Sequence, residues 1–362
     1  MVINFLVPTL GLTGGIKVIF EHANRLASFG HDIIIIYPYV LDYKAGPAGK
    51  VFGRLKKLRR VFLGLIKGDE IGWFKLDSRV QVIRVMDLSA KNIPNADATI
   101  ATANETADWL NIYPENKGEK FYFIQDYENW TRAVDKVDRT WKMPLKKIVI
   151  SRRLEKLARE KFAEDVFGIV PDGVEMEKFA NPDKKFNSPK KILAMHHALP
   201  KKGFTCALEA YKIVKKRHPE ISLDVFGAYK SGKKQLKGLE GVRFYYQPEE
   251  AKLRELYGRA DIFLWPSREE GFGLPPMEAM AAKCAVISTD TGAIREYAVP
   301  DKTAVIVPPE RPELMAEALT GLIENNEKLK KISLNGYEKI RAFSWEKSSK
   351  ILERIIIDEC AK

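Results

Sequence analysis

The stretch ADIFLWPSREEGFGLPPMEAMAAKCAVISTDTGAIREYA, residues 260–298, decides the fold. It holds two short apolar runs, each followed by a loop of small and polar residues and then by a segment with helical spacing. Two prolines stand where the first helix should begin, a position at which a missing N–H costs little. The pattern predicts strand, loop and helix, repeated once, which is typical of a parallel sheet covered by helices.

The same alternation continues through the rest of the chain. The predicted strands are residues 2–7, 32–37, 80–85, 98–101, 120–124, 147–150, 191–195, 222–226, 242–245, 262–265, 285–288 and 304–307. The predicted helices include 16–29, 151–162, 205–216, 249–259, 275–282, 312–324 and 328–341. Glycine and proline accumulate at 167–189 and separate two series, so the sequence predicts two Rossmann-like α/β domains, 1–168 and 169–344, and a final segment, 345–362.

Bulk composition agrees with two globular domains. The chain has 362 residues, of which 45% are hydrophobic and 30% charged, as is typical of globular proteins. It has no apolar run of about 18 residues, the length that spans a bilayer, and its first residues do not resemble a signal peptide. Three cysteines cannot all pair with one another, which together with the missing signal favours a reducing, cytoplasmic compartment. No cluster of cysteine and histidine has zinc-ligand spacing.

The net charge of +12 is unevenly distributed, because residues 44–67 contain eight basic residues and no acidic one. Within them, GRLKKLRRVFLGLI (53–66) places its apolar residues on one helical face and most basic residues elsewhere, among them Lys56, Lys57, Arg59 and Arg60. Such a basic amphipathic helix is typical of a membrane-surface element. Alternatively, the apolar stripe packs on the first domain and the charges are solvated.

The loop at 266–274 has the features of a phosphate site. Gly273 and Leu274 would present backbone N–H groups at a helix amino terminus, which attracts anions. Glu270 and Glu278 flank these groups, and a carboxylate can accept two hydrogen bonds from the vicinal diol of a sugar ring. The arrangement matches a nucleoside–diphosphate–sugar. For Glu278, a position in the first helical turn would also be favoured by the helix dipole alone.

The string EGFGLPPME, residues 270–278, resembles the E-x7-E motif of family 4 glycosyltransferases, the glycosyl transferases group 1. The resemblance covers nearly the whole chain. It implies the GT-B fold, in which an acceptor-side domain and a sugar-nucleotide-binding domain face each other across a cleft. It also implies that helix 345–361 returns to the first domain.

The same resemblance assigns roles to individual residues. It implies that Glu270 contacts the donor sugar and Glu278 the ribose, while Phe272, Gly273 and Leu274 supply backbone around the sugar and diphosphate. ALPKKGF (198–204) is similar to the diphosphate-binding turn. The remaining implied donor-site residues are Lys202 of that turn, the glycine pair Gly14 and Gly15, and Thr291 and Gly292 of TGAIREYA (291–298).

One position departs from the family pattern. The family usually has Arg five residues before the lysine of the turn, where this chain has His197, and His is not a permanent bidentate phosphate ligand. Either Lys202 and the helix amino termini neutralise the phosphate charge, or another cation does. His197 itself either contacts the donor or has a structural role.

The segment FIQDYE (123–128) is similar to a segment of surface-polysaccharide members of the family. Tyr127, together with Lys17 and residues 104–109, is therefore assigned to the acceptor by position.

These features predict a retaining transferase that moves a sugar from a sugar nucleotide to a glycan or lipid-linked acceptor. Retention is implied by the resemblance. Neither a metal ion nor another cofactor is expected, because the chain contains no DxD triplet. The predicted setting is surface-polysaccharide or glycolipid synthesis in the cytoplasm, with peripheral contact at the anionic inner leaflet and no nucleic-acid partner.

Two other functions remain open. A sugar-nucleotide epimerase can share the fold, since fold does not fix function, but no acid–base set is identifiable among the five histidines. A non-enzymatic binder of RNA or an anionic surface would use the charge at 44–67. That second alternative gives no role to the 270–278 loop.

Overall fold

The computed structural model describes residues 1–41 and 71–362, which divide into two compact units. The first unit comprises Met1–Asp172 with Trp345–Lys362, and the second comprises Gly173–Ser344. The four basic residues Lys56, Lys57, Arg59 and Arg60 lie outside the described residues.

Within the described residues, the first unit is built on a parallel sheet. Its seven strands are β1 (Val2–Leu6), β2 (Asp32–Pro38), β3 (Gln81–Val85), β4 (Ala98–Ala101), β5 (Glu119–Ile124), β6 (Lys146–Val149) and β7 (Gly168–Ile169). Their order in the sheet is β3-β2-β1-β4-β5-β6-β7. Its helices are Gly14–Ser28, Asn104–Leu110, Val134–Trp141, Arg152–Phe162 and Trp345–Cys360, with 3₁₀ turns at Ala90–Asn92 and Glu115–Lys117. The strand order reverses beside β1, which pairs with both β2 and β4.

The second unit contains a six-stranded parallel sheet. Its strands are β8 (Lys191–His196), β9 (Ser222–Gly227), β10 (Val242–Tyr246), β11 (Ile262–Trp265), β12 (Ala285–Thr289) and β13 (Val305–Val307). Their order in the sheet is β10-β9-β8-β11-β12-β13. Its helices are Met176–Phe179, Phe204–Lys215, Ser231–Gln235, Glu250–Arg259, Leu274–Ala281, Ile294–Tyr297, Pro312–Glu324 and Asn326–Ile340, with a 3₁₀ turn at Pro200–Lys202. Here the order reverses beside β8, which pairs with β9 and β11.

Alternate residues of the second sheet are buried on opposite faces. Ile192 and Ile262 belong to a core that includes Leu208 and Leu319 of two helices. On the other face, Phe263 lies against Tyr257, with ring centroids 5.6 Å apart. Burial on both faces explains why these strands are almost continuously apolar in sequence.

The boundary between the units differs from the expected 168/169. Gly168 and Ile169 form β7, which pairs with β6 of the first sheet, and Val170 N–H donates to the Val149 carbonyl at 2.8 Å. These pairings hold the chain in the first unit as far as Asp172. A two-residue strand carries too little periodicity to be recognised in the sequence.

The carboxyl-terminal helix packs on the first helix of the same unit. His22 lies edge-on to Trp345, with ring centroids 5.6 Å apart, and its Nδ1 lies 2.9 Å from Ser349 Oγ. His31 Nε2 lies 2.8 Å from Glu353 Oε1. These contacts join residues more than 300 positions apart in sequence.

Candidate active site

The loops that follow β8, β11 and β12 lie at the carboxyl edge of the second sheet, where its strand order reverses. In open parallel sheets, this reversal point leaves a crevice that binds ligands. Lys202 follows β8, Glu270 follows β11, and Thr291 and Gly292 follow β12. The topology therefore brings three of the sequence-predicted segments to one place.

An ion pair joins Lys202, after β8, to Glu270, after β11. Lys202 Nζ lies 2.5 Å from Glu270 Oε1, and the two side chains are only 19% and 10% exposed. Ser267 Oγ also donates to Glu270 Oε1, at 3.0 Å. A carboxylate that is largely removed from water needs such partners, so the Glu270 side chain is held by both a cation and a hydroxyl.

Two glycines allow the three loops to approach each other. Gly203 has a left-handed φ of +64°, and a Cβ there would lie 2.0 Å from the Pro266 carbonyl oxygen. Gly292 has a φ of +61°, and a Cβ there would lie 2.7 Å from the Cβ of Glu270. Because only glycine fits both the conformation and the space, these two positions fix Lys202 and Thr291 against the Glu270 loop.

Hydroxyl groups complete the anchoring of the loop. Thr291 Oγ1 donates to the Ser267 carbonyl at 3.2 Å, and Thr289 Oγ1 donates to the same carbonyl. Ala293 N–H donates to the Gly271 carbonyl at 3.1 Å. The loop is therefore preorganised by the strand end beside it.

The helix Leu274–Ala281 begins at this loop. Gly273 is its N-cap with a φ of +98°, and Pro275 and Pro276 have no N–H, so Leu274 and the residues before it supply the donors at this helix end. Phe272 is buried and stacks on Tyr297, with ring centroids 5.5 Å apart. The Phe272 side chain is therefore part of the core, and the contact of its backbone with the donor, which the resemblance implies, stays a prediction.

Glu278 lies on this helix and is 7% exposed. Since the helix begins at Leu274, Glu278 stands just beyond its first turn. The expectation of a first-turn position is therefore wrong, and the helix dipole gives a weaker reason for a carboxylate here. Tyr257 donates its hydroxyl to Glu278 Oε2 at 3.0 Å, and burial together with this carboxylate raises the pKa of Tyr257 well above its usual value.

The two histidines after β8 have different surroundings. His196 is buried edge-on to Phe204 and Phe244. His197 accepts a hydrogen bond from Leu199 N–H at its Nδ1, 3.0 Å away. Burial, with Lys202, His196 and Lys201 nearby, lowers the pKa of His197 to about 4. At neutral pH, His197 is therefore uncharged and carries its proton on Nε2.

The predicted residues Gly14, Gly15 and Lys17 lie in the first turn of helix Gly14–Ser28, in the first unit. Thr13 caps this helix, its hydroxyl accepting from Ile16 N–H at 3.2 Å. A Cβ on Gly15 would lie 3.3 Å from Gln125 Oε1. The glycine pair thus lies beside the FIQDYE segment and belongs to a different unit from Lys202 and Glu270.

Tyr127, assigned to the acceptor by position, is part of a polar network. Its hydroxyl donates to Asp138 Oδ1 at 2.5 Å and accepts from Lys161 Nζ. Its ring lies near Trp141 and Phe162. This hydroxyl is already engaged on both sides.

Glu128, to which the sequence pattern assigns no role of its own, lies at the start of helix Asn104–Leu110. Asn104 donates to Glu128 Oε2 from both its backbone N–H and its side-chain amide, each at 3.0 Å. Burial raises the pKa of Glu128 to about 7, and Glu105 acts in the same direction. In the sequence, nothing distinguishes Glu128 from Asp126 two positions before it.

Within residues 1–41 and 71–362, no three His, Cys, Asp or Glu side chains come together as metal ligands. In the same ranges, no helix is both long and apolar enough to cross a bilayer.

Comparison with solved structures defines the fold. Sucrose-phosphate synthase from Thermosynechococcus elongatus superimposes with a TM-score of 0.73 at 16% identity, covering 99% of both chains. HepE from Anabaena, solved in complex with UDP-glucose, gives a TM-score of 0.75 at 13% identity, covering 99% of this chain and 100% of that one. The chain has the GT-B fold, as the sequence predicts.

The sequence comparisons point to the same class. Residues 175–339, just under half of the chain, match the model of the glycosyl transferases group 1. Phosphatidyl-myo-inositol mannosyltransferase of Mycobacterium tuberculosis is 29% identical over 190 residues, 49% of this chain and 50% of that protein. The lipopolysaccharide core biosynthesis mannosyltransferase LpsB of Rhizobium meliloti is 32% identical over 96 residues, 26% and 27% of the two chains. The chain spans about half the length of the first of these relatives.

Proposed function

We propose that this chain is a retaining glycosyltransferase that moves a sugar from a nucleoside-diphosphate-sugar to a glycan or lipid-linked acceptor, without a metal ion, in surface-polysaccharide or glycolipid synthesis. The observation that carries the proposal is the Lys202–Glu270 pair at the strand-order reversal. The bound UDP-glucose named for HepE supports the donor class. The mannosyltransferase relatives support the acceptor class.

The proposed chemistry uses groups that are already in place. Lys202 and the N–H groups around Gly273 and Leu274 bind the diphosphate, while Glu270 accepts hydrogen bonds from sugar hydroxyls and Glu278 from the ribose. When the anomeric C–O bond breaks, its electron pair leaves with the diphosphate, and preorganised positive groups stabilise that charge. The acceptor oxygen bonds the anomeric carbon on the same face, and its proton passes to the departing diphosphate.

His197 takes the place of the family arginine in this proposal as an uncharged donor. With Nδ1 occupied by Leu199 N–H, its Nε2–H can donate one hydrogen bond to the diphosphate and adds no charge. Lys202 then supplies the positive side-chain charge at the diphosphate.

The remaining proposed donor-site residues act mainly through their backbone. Gly14 and Gly15 would admit the donor close to the backbone of the first unit, and Thr291 and Gly292 would line the nucleotide.

The proposal is tested by incubating the protein with a panel of labelled sugar nucleotides, with and without an extract of lipid-linked glycans. A glycosylated product with the anomeric configuration of the donor is expected only when extract is present. Conversion of the sugar nucleotide alone would instead indicate an epimerase, and no reaction with any donor would contradict the proposal.

A further inference from the structure

Tyr257 is enclosed by aromatic rings in the second unit. It lies on helix Glu250–Arg259 and is fully buried. Phe179, Phe226 and Phe263 surround its ring, each with a centroid separation of 5.6 Å. The ring therefore has little freedom to turn, and its hydroxyl has a fixed direction.

That hydroxyl is aimed at Glu278, to whose Oε2 it donates at 3.0 Å. The high pKa of Tyr257 keeps the phenol protonated, so it serves as a donor to the carboxylate. The Tyr257 carbonyl also accepts from Cys284 Sγ at 3.2 Å. Tyr257 thus joins its own helix to both Glu278 and the segment that follows helix Leu274–Ala281.

We infer that Tyr257 is a positioning residue that holds Glu278 in the orientation that recognises the ribose diol of the donor nucleotide. The inference rests on the proposed function, which assigns Glu278 to the ribose. An ionised carboxylate offers about four lone-pair directions, and the phenol occupies one of them. Holding one oxygen fixes the plane of the carboxylate, so the diol meets acceptors that are already oriented.

The test measures the preference of the protein for ribose over dideoxyribose in a bound nucleotide. A tyrosine that only packs in the core would not alter this preference. Dissociation constants of UDP, GDP and ADP and of their 2′,3′-dideoxy analogues are measured by calorimetry for the wild type, Tyr257→Phe and Glu278→Gln. Tyr211→Phe is the matched control, because Tyr211 is also buried in the second unit and its hydroxyl lies 3.4 Å from two backbone carbonyls.

We expect the wild type and Tyr211→Phe to prefer ribose over dideoxyribose by the same factor. In Tyr257→Phe, this preference should fall about tenfold, the scale of a hydrogen bond to a charged group. Replacing Tyr257 by 4-aminophenylalanine, which keeps an N–H donor, should restore it and provides a second variant if Tyr257→Phe folds poorly.

Two results would overturn the inference, and they distinguish a failure of the Tyr257 role from a failure of the ribose assignment of Glu278. If Tyr257→Phe keeps the wild-type preference while Glu278→Gln loses it, Tyr257 only packs and the role of Glu278 survives. If Glu278→Gln also keeps the preference, the ribose assignment in the proposed function itself is wrong.

Discussion

At the scale of single residues, the proposed chemistry depends on how Lys202 divides its charge between Glu270 and a ligand. In the structure, its ammonium lies 2.5 Å from the carboxylate. A bound diphosphate carries more negative charge than one carboxylate and would compete for the same ammonium. In the proposed reaction, the ion pair balances the charges of Lys202 and Glu270 until the donor binds.

We expect Lys202→Ala to lower turnover by about two to three orders of magnitude, as loss of a transition-state charge partner does. Binding of the uncharged nucleoside should change little, because it lacks the diphosphate. Steady-state kinetics and nucleoside calorimetry measure the two effects. Lys212→Ala, an exposed lysine on the neighbouring helix, is the control, and equal losses of turnover and nucleoside affinity in Lys202→Ala would contradict this role.

The sequence points to some residues of the proposed site and not to others. Glu270 and Lys202 could be proposed from the sequence because each lies in an ordered motif beside a strand end. Tyr257 could not, because a tyrosine on a helix reads as an ordinary core residue. Its contact with Glu278 arises from packing between residues 21 positions apart.

At the scale of elements, the left-handed glycines determine how closely the loops approach. We expect Gly292→Ala to reduce the free energy of unfolding by about 1–3 kcal/mol, the scale of strain at such backbone positions, and to weaken donor binding by displacing Glu270. Denaturant unfolding and calorimetry measure the two changes.

Gly321→Ala is the matched control for this substitution. Gly321 lies inside helix Pro312–Glu324 with nothing within 4 Å of an added Cβ. Alanine there should raise the free energy of unfolding by about 0.5–1 kcal/mol. Unchanged stability and donor affinity in Gly292→Ala would show that the loop does not need this glycine.

The contact between the first and last helices should respond to acid through His22. Burial, and to a lesser degree Arg25, lowers the pKa of His22 to about 3. The unfolded state therefore binds the extra proton between about pH 6.5 and 3, and stability is lost as pH falls through that window. We expect His22→Gln to reduce the slope of the free energy of unfolding against pH in this window by up to about 1.4 kcal/mol per pH unit. Denaturant unfolding at several pH values measures this slope. Equal slopes in the wild type and His22→Gln would contradict the prediction.

Element boundaries show what the sequence pattern can resolve. Apolar runs predict twelve of the thirteen strands in the described structure, but not β7, because two residues show no periodicity. The sequence also does not predict the helix Asn104–Leu110, since seven residues make too few turns for an amphipathic pattern.

At the scale of the whole molecule, the concentrated positive charge of residues 44–67 predicts a membrane contact. We expect the chain to pellet with anionic liposomes at low salt and to be released as salt rises, because each basic residue near such a surface contributes about 1 kcal/mol. Replacing Lys56, Lys57, Arg59 and Arg60 by glutamine removes half of the eight basic residues and should strongly reduce pelleting. Binding that ignores salt and lipid charge would contradict the prediction.

The division into two α/β units follows from the alternating pattern, but the exact boundary depends on strand pairing. The pairing of β7 with β6 is a long-range contact, so composition alone placed the boundary four residues too early.

The central claim is that Glu270 binds the sugar of an activated donor. It is tested most directly by comparing, in one calorimetric series, the affinity for the best-binding sugar nucleotide with that for its nucleoside diphosphate. Glu269, the exposed neighbour, provides the control. We expect the wild type and Glu269→Gln to bind the sugar nucleotide more tightly than the diphosphate, and Glu270→Gln to lose that preference. An unchanged preference in Glu270→Gln would contradict the account.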